Sequence, residues 1–499
     1  MIKKRQILTN AGTSIVQVIL SGIILFVLYR FLLMTIGVEQ LGIWSIVLAT
    51  TTVTHISNLG LSGSVVKFVA KYIARAEFEN VSHVIQTAAL SLGGGMGVIL
   101  LIVYPLLQTL LEYIVPYSGL PDALSILPYA LVSFWIVAIA SIFQAGLDGC
   151  QRIDLRNILL IGGHLLYFGL ALLWVPSYGI LGLAYAQVFQ ASSVLIASWL
   201  LLRWALKVLP LVPCHWHRHL FFEMLSYGIN FQLISIIRML VDPLTKAMLS
   251  KFGGLAMVGY YEMAYRMLIQ FRAIIVNANQ VLVPVIAGLQ EKTPEHIERI
   301  YKDSYRLLMY LILPFQAGLV VAIPFISKLW IGHYEQTFII FAISIVIGFT
   351  INILSNPAYF ANLGTGRLLW NTIDHIVVGV LNGFLGVIMG VYYGGMGVVV
   401  ASVLATIAGS SVVVIAYHFE NDISLKEIFP KEMSLLALSC VVGMLFSLLV
   451  SHYFYDKISF YILGPVSLLL FVFIVFPFNW FHPMRTQIMK WLYSARENG

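Results

Sequence analysis

The chain has 499 residues, 60% of them hydrophobic and only 10% charged, with a mean hydropathy of +0.91. Globular domains run nearer about 25% charged, so a water-soluble protein is excluded. A transmembrane barrel would show stretches of about ten alternating residues; the long uniform apolar runs here leave a polytopic helical membrane protein, since helices satisfy their own backbone in lipid.

Apolar runs between polar or Gly/Pro punctuation predict fourteen membrane-spanning helices, near 12–36, 41–66, 84–111, 124–147, 157–176, 181–202, 220–249, 259–287, 307–327, 337–361, 371–392, 397–417, 434–452 and 460–481. Lys3, Lys4 and Arg5 precede the first span with no small-residue cleavage site after it, so the N-terminus is expected to stay on and to be cytoplasmic. With that orientation the cytoplasmic segments hold 21 of the 29 Lys and Arg residues, and the outer ones hold Lys251, Lys328 and Lys457. The net charge of +7 is therefore a topology signal that also places the C-terminus inside, and it implies no nucleic-acid partner. Cys150, Cys214 and Cys440 are far apart and form no disulfide framework or CxxC motif. All connecting segments are short, which leaves no extramembrane domain to house a soluble active site.

An internal repeat emerges when the first and seventh predicted helices are laid together. Gly12, Arg30, Gly37 and Gly42-Ile43-Trp44 recur as Gly228, Lys246, Gly253 and Gly259-Tyr260-Tyr261, at an offset of 216 that becomes 217. Tyr178-Gly179, Gly182 and Ala186 reappear as Tyr393-Gly394, Gly397 and Ala401, and Gly146-Leu147 with Arg152 pairs with Asn362-Leu363 and Arg367. A near-constant offset indicates duplication of a six-helix unit. Six is even, so both copies enter the membrane in the same direction, as parallel lobes with a substrate site expected between them. The expected organisation is an N-lobe at 1–206, a cytoplasmic linker at 207–219, a C-lobe at 220–420, and two appended helices with a cytoplasmic tail at 421–499.

Five bases, Arg30, Arg238, Lys246, Arg266 and Arg272, fall inside predicted spans, where an ion costs a few kcal/mol even on the mildest scale. On the seventh helix Tyr227, Asn230, Ser235, Arg238, Asp242 and Lys246 form one polar stripe. One reading is a structural ion pair made by Asp242; the other is a cavity lining, because one acid cannot neutralise two bases. The first helix repeats the design with Asn10, Ser14, Gln17 and Ser21, and the eighth adds Glu262 and Arg266, a candidate helix-surface pair at i,i+4. For Arg30 the alternative is snorkelling to the outer interface. Five intramembrane bases against Asp242, Glu262 and Asp374 suit a substrate anionic at one point and hydrogen-bonding elsewhere, such as a diphosphate carrying sugars. His55 is a candidate proton carrier, and Asp374-His375 either titrates or caps its helix. The loop His215-Trp216-His217-Arg218-His219 reads better as an interfacial linker than as a metal site. Gly93-Gly94-Gly95 with Gly97 lies within a span and lacks the Lys-Ser/Thr of a phosphate loop, so close helix packing explains it. The sequence carries no ATP-hydrolysing or paired-carboxylate motif, and neither an enzyme nor a cofactor is expected.

The segment from Gly37-Val38-Glu39-Gln40-Leu41-Gly42-Ile43-Trp44-Ser45 through Asn58-Leu59-Gly60-Leu61-Ser62-Gly63 to Lys71, with Gly146-Leu147-Asp148-Gly149 after the fourth helix, resembles bacterial polysaccharide flippases of the Wzx type. These belong to the multidrug/oligosaccharidyl-lipid/polysaccharide exporter superfamily. The resemblance implies a V-shaped, alternating-access transporter of the bacterial inner membrane. Such a protein flips undecaprenyl-diphosphate-linked oligosaccharide from the cytoplasmic to the outer leaflet for O-antigen, capsule or exopolysaccharide assembly, beside other membrane proteins of that assembly. It implies substrate contacts at Arg30, Arg238, Lys246, Arg266 and Arg272, with Asn230 and Gln17 toward the sugars; Asp242, His55 and Asp374 are the candidates for coupling to H+ or Na+. The alternatives are a multidrug or organic-cation antiporter of the same architecture, whose cavity should be acid-rich, and a flippase for another lipid-linked cell-wall precursor.

Overall fold

A computed structural model describes residues 4–52, 60–280, 282–454 and 458–497, with the side chains of 4, 5, 7, 8, 11, 227–238, 425, 426 and 491–497 outside the description. Among the described residues the chain is all helical. The helices are α1 (Lys4–Thr52), α2 (Leu61–Ala74), α3 (Phe78–Ile114), α4 (Leu120–Gly149), α5 (Ile153–Ala205), α6 (Arg218–Gly253), α7 (Leu255–Asn279), α8 (Leu282–Lys292), α9 (Ile297–Trp330), α10 (Gln336–Leu354), α11 (Asn356–Thr365), α12 (Leu369–Glu420), α13 (Leu425–Ile428), α14 (Lys431–Tyr453), α15 (Phe460–Trp480) and α16 (Pro483–Glu497). Among the described residues ten helical stretches are long and apolar enough to cross a membrane. Three of them, α1, α5 and α12, are each two predicted spans joined through a glycine. Counting these twice and adding α6 recovers the fourteen.

The joints explain why the pairs merge. Gly37 (φ 82°, ψ 169°) and Gly179 (φ 58°, ψ −136°) break their helices, and Gly394 (φ 62°, ψ −150°) does so in α12. Positive φ is accessible to glycine because it has no β-carbon. At Gly179 the chain turns back on itself. The ring of Trp174 lies 6.1 Å from that of Phe189 and Tyr178 6.2 Å from Tyr185, and a β-carbon at Gly182 would overlap the Trp174 carbonyl.

The repeat is a property of the backbone, and its register is sharper than the sequence reading. Gly254 caps α6 with φ 81° and ψ 172°, within a few degrees of Gly37, so the partner of Gly37 is Gly254. Gly253, paired with it by sequence, ends the preceding helix. The offset is thus 217 through the first joint, which sets Lys246 opposite Tyr29 and corrects its pairing with Arg30. Contacts follow the same register. A β-carbon at Gly149 would press on Val69 and the Val66 carbonyl, and one at Gly364 would press on Ile286 and the Val283 carbonyl. At the fourth helix of each copy the Arg152 amide donates to the Leu147 carbonyl and the Arg367 amide to the Asn362 carbonyl, both at 2.9 Å. The later offset is therefore 215, with Leu147 matched to Asn362.

The described residues fall into two compact units. Unit 1 contains Met1–Met263 and Gly386–Val398, and unit 2 contains Ala264–Leu385 and Val399–Gly499, so α7 and α12 each contribute to both units. Within unit 1, α6 is fastened at both ends: Ser64 Oγ donates to the Met224 carbonyl at 2.7 Å, and Ser250 Oγ to the Ile114 carbonyl at 2.9 Å. The linker is strapped to α3, where Gln86 Oε1 accepts from the Cys214 and His215 amides at 3.0 and 3.1 Å and Thr87 Oγ1 accepts from the His217 amide at 3.1 Å. Trp135 Nε1 donates to the Gly93 carbonyl at 2.8 Å, and Gly93 and Gly97 pack against Ile139 and Trp135 of α4, whereas Gly94 and Gly95 are exposed with open space around them, so close packing accounts for only part of the glycine run. Unit 2 is built on α9, whose Tyr301, Met309 and Tyr310 share a buried cluster with Val413, Leu436, Cys440 and Val475. Its strap is α13, where Lys302 pairs with Glu298 and Glu427 and Arg306 donates to the Glu427 carbonyl. The last two spans pack here, with Phe471 of α15 against Gly318 and Gly443. In α16, Met484 is buried and Arg485 lies 3.3 Å over the Trp480 ring, an arrangement suited to the membrane surface.

Candidate functional site: a buried ionic node and an arginine network

The two halves of α1 and the joint between α6 and α7 meet in unit 1 at two glycines. A β-carbon at Gly42 would overlap the Leu255 carbonyl, and one at Gly259 would overlap the Val38 carbonyl. Val38 matches Leu255 and Gly42 matches Gly259 in the 217 register, so this is one contact made twice about a pseudo-two-fold axis. Backbones approach this closely only where side chains are absent.

That crossing brings together residues far apart in sequence. Glu262 is 1% exposed and Lys246 2% exposed. Glu262 Oε1 accepts from the Tyr29 hydroxyl at 2.9 Å, and Oε2 accepts from Ser45 Oγ at 2.9 Å and lies 2.8 Å from Lys246 Nζ. Lys246 Nζ also lies 2.7 Å from Asp242 Oδ2, one helical turn back on α6. Asp242 is partly exposed, and among the described residues its Oδ1 is buried without a hydrogen-bond partner. In the 217 register Lys246 corresponds to Tyr29 and Glu262 to Ser45, so equivalent positions of the two copies meet in one node. Buried ions persist in lipid only when paired and hydrogen-bonded, and both conditions hold at Glu262. The structure thus places Lys246 between two carboxylates, where its charge is already committed. The burial of Glu262 corrects its reading as a helix-surface residue, and Lys246 on α6 is an ion-pair partner beyond its own helix.

The polar face of the first span is also engaged. Asn10 Nδ2 donates to the Gln151 carbonyl at 3.2 Å and its Oδ1 accepts from the Asp154 amide at 3.2 Å. Asn157 Nδ2 reaches Ser14 Oγ at 2.9 Å, Gln17 Nε2 donates to Ser21 Oγ at 3.1 Å, and Ser21 Oγ lies 2.7 Å from His164 Nδ1. Asn10, Ser14 and Ser21 therefore zip α1 to α5, and Gln17 is part-buried beside them. Arg30 is exposed. His55, Asn230 and Arg238 lie outside the described residues or side chains.

Unit 2 holds the other candidates. Arg272 is half-buried on α7; its Nε donates to Asn352 Oδ1 at 2.8 Å, Asn352 Nδ2 donates to Ser410 Oγ at 2.9 Å, and the guanidinium lies 5.6 Å from the Phe349 ring centroid. Arg266 is half-buried on the same helix. Asp374 and His375 are buried early in α12, with Asp374 against Gly409 and His375 Nε2 3.3 Å from the Tyr359 hydroxyl. Among the described residues no group of His, Cys, Asp and Glu is arranged to hold a metal ion. Sequence reading missed Glu262 as a node centre; the signal was available in its 217-residue spacing from Ser45.

A family model described as polysaccharide biosynthesis protein matches residues 7–290. No curated protein matches. Among solved structures, a multidrug resistance MATE family transporter of the MOP superfamily in an inward-facing conformation is similar, with TM-score 0.71, 16% identity and coverage of 80% of this chain and 94% of that one. The lipid II flippase MurJ in an inward closed conformation aligns with TM-score 0.67, 13% identity and coverage of 94% and 97%. A MOP superfamily transporter from Pyrococcus furiosus, described as having a binding pocket of reverse polarity, aligns with TM-score 0.58, 14% identity and coverage of 84% and 94%. At these identities the likeness is one of fold: the chain has the architecture of a multi-pass membrane transporter.

Proposed function

The chain belongs to the polysaccharide biosynthesis protein family, and we propose that it flips a lipid-linked oligosaccharide, sugars on a polyprenyl diphosphate, from the cytoplasmic to the outer leaflet of the bacterial inner membrane. The observation that carries this reading is Arg272. It is a half-buried guanidinium within a membrane-spanning helix, oriented by the neutral amide of Asn352 and by Phe349. A planar cation fixed this way suits the bidentate binding of a diphosphate. Arg266, Arg30 and Arg238 are assigned to the same anion along its path, and the amides and hydroxyls of Asn230, Gln17, Asn352 and Ser410 to sugars. The lipid tail stays in the bilayer, and alternating exposure of the site to the two sides moves the head group. An inside-negative potential favours outward movement of the anion by about 2.3 kcal/mol per charge per 100 mV. Asp242 and Asp374 are assigned to H+ or Na+ coupling. The protein acts as a transporter for surface polysaccharide assembly and not as an enzyme.

The test is a liposome assay that compares translocation of a short isoprenyl-diphosphate sugar with efflux of a lipophilic cation, under an imposed potential and under pH or sodium gradients. Arg272→Ala is expected to slow diphosphate-lipid movement by roughly 10- to 100-fold, with Arg272→Lys restoring part of it. Cation efflux without lipid movement, or parent rates in both Arg266→Ala and Arg272→Ala, would remove the reading.

A further inference from the structure

The node divides unequally between the two copies of the repeat. Lys246, Asp242 and Glu262 all stand on α6 and α7, helices joined directly at Gly254. Tyr29 and Ser45 stand on α1, on either side of the Gly37 joint. A movement that parts the outer ends of the copies at the Gly42 and Gly259 crossing leaves the Lys246–Glu262 ion pair intact on one side. The bonds it breaks include the two hydroxyl hydrogen bonds to Glu262, at 2.9 Å each. A buried ion pair is costly to split, whereas charge-assisted hydrogen bonds from neutral hydroxyls are strong yet reversible. The division between the compact units falls immediately after Met263, one residue beyond Glu262. The node therefore sits at the point on α7 where the chain changes unit.

We propose that Glu262, ion-paired to Lys246, is the bolt of an outer latch whose keepers are Tyr29 and Ser45, and that releasing these hydroxyls opens the protein to the outer side. The proposal rests on the alternating-access reading and on the orientation given by the loop charges. Lys246 is on this account a positioning residue.

The reporter is Ala49→Cys, a buried position four residues beyond Ser45, in the full chain with Cys150, Cys214 and Cys440 replaced by Ser or Ala. Labelling of intact cells with a membrane-impermeant maleimide is followed. The combined Tyr29→Phe and Ser45→Ala variant, which leaves the ion pair whole, is expected to label about tenfold faster or more. The same two substitutions added to Glu262→Leu are expected to change nothing further, because the acceptor is already gone. Parent labelling in the folded double variant overturns the latch, and so does an undiminished effect in the Glu262→Leu background. Labelling is read without substrate, so the two readings fail separately. A latch that responds in a protein that moves no diphosphate lipid sinks the flippase reading alone, and lipid movement with unresponsive labelling sinks the latch alone.

Discussion

The two copies of the six-helix unit share a backbone and differ in charge. Gly37 and Gly254 have φ of 82° and 81°, and the contacts of Gly42 and Gly149 recur at Gly259 and Gly364. Yet the first copy has Tyr29 and Ser45 where the second has Lys246 and Glu262. The straps show the same contrast. In the first copy Gln86 and Thr87 hold the linker through its backbone amides, whereas in the second Lys302 and Arg306 hold α13 through Glu427. Duplication conserved the places where helices must touch, which depend on the absence of a side chain. The second copy alone has acquired the buried charge of the node.

The comparison is broken most severely at position 246. Lys246→Ala removes a cation held between two carboxylates, one of them the buried Glu262, and is expected to cost about 3–5 kcal/mol. At the matching position Tyr29→Phe removes one hydrogen bond to an ion, worth about 1.5–3 kcal/mol. Chemical unfolding in detergent ranks the two, and equal losses would mean that the node does not distinguish the copies. Gly42→Ala and Gly259→Ala should come next and should match each other, each at about 1–3 kcal/mol from overpacking against a carbonyl; a large difference between them would refute the two-fold crossing. At the fourth-helix turns Gln151 has φ 61° and its mate Gly366 has φ 77°. Gly366→Gln should therefore destabilise by roughly 1–2 kcal/mol and Gln151→Gly should be neutral or stabilising, read as opposite shifts in Tm. The smallest effect lies at the straps. Hydrogen bonds from the Lys302 side chain and then Ser424 hold the Glu427 carboxylate below its usual range. That contribution is present above the ordinary carboxylate pKa and is lost as pH falls through the lowered value. Acidification should loosen the α13 strap, read as hydrogen exchange at 424–428 that rises as pH falls through the lowered Glu427 value.

Much of this was legible in the sequence because lipid imposes a simple rule: long apolar runs must be helices. The fourteen spans followed from it, and the Tyr178-Gly179 and Tyr393-Gly394 joints were visible at their offset of 215. The 217 register was missed by one residue because Gly253 and Gly254 are neighbours and only backbone torsion shows which of them turns. The polar face at Asn10, Ser14 and Ser21 reads equally well as a cavity lining or as a zipper, since periodicity gives a face and not its partner; α5 is the partner. Glu262 was undervalued for a related reason, because the i,i+4 base Arg266 was in view whereas its structural partners Tyr29 and Ser45 are more than two hundred residues away. Arg272 was found from its charge alone, but the amide that orients it, Asn352, carries no local signal.

The turns at Gly179 and Gly394 also bear on how the protein is made. In α5 and α12 the chain reverses within the apolar stretch, with no hydrophilic loop between the two arms. As the ribosome delivers such a segment, neither arm has a polar flank on its far side to hold it across the bilayer alone. The expected consequence is that each pair leaves the translocon as one hairpin, oriented by the basic residues at its base, Arg152, Arg156 and Arg203 for α5. A charge introduced at the hairpin tip would then be felt during biogenesis, as lost insertion, before it could be felt in transport.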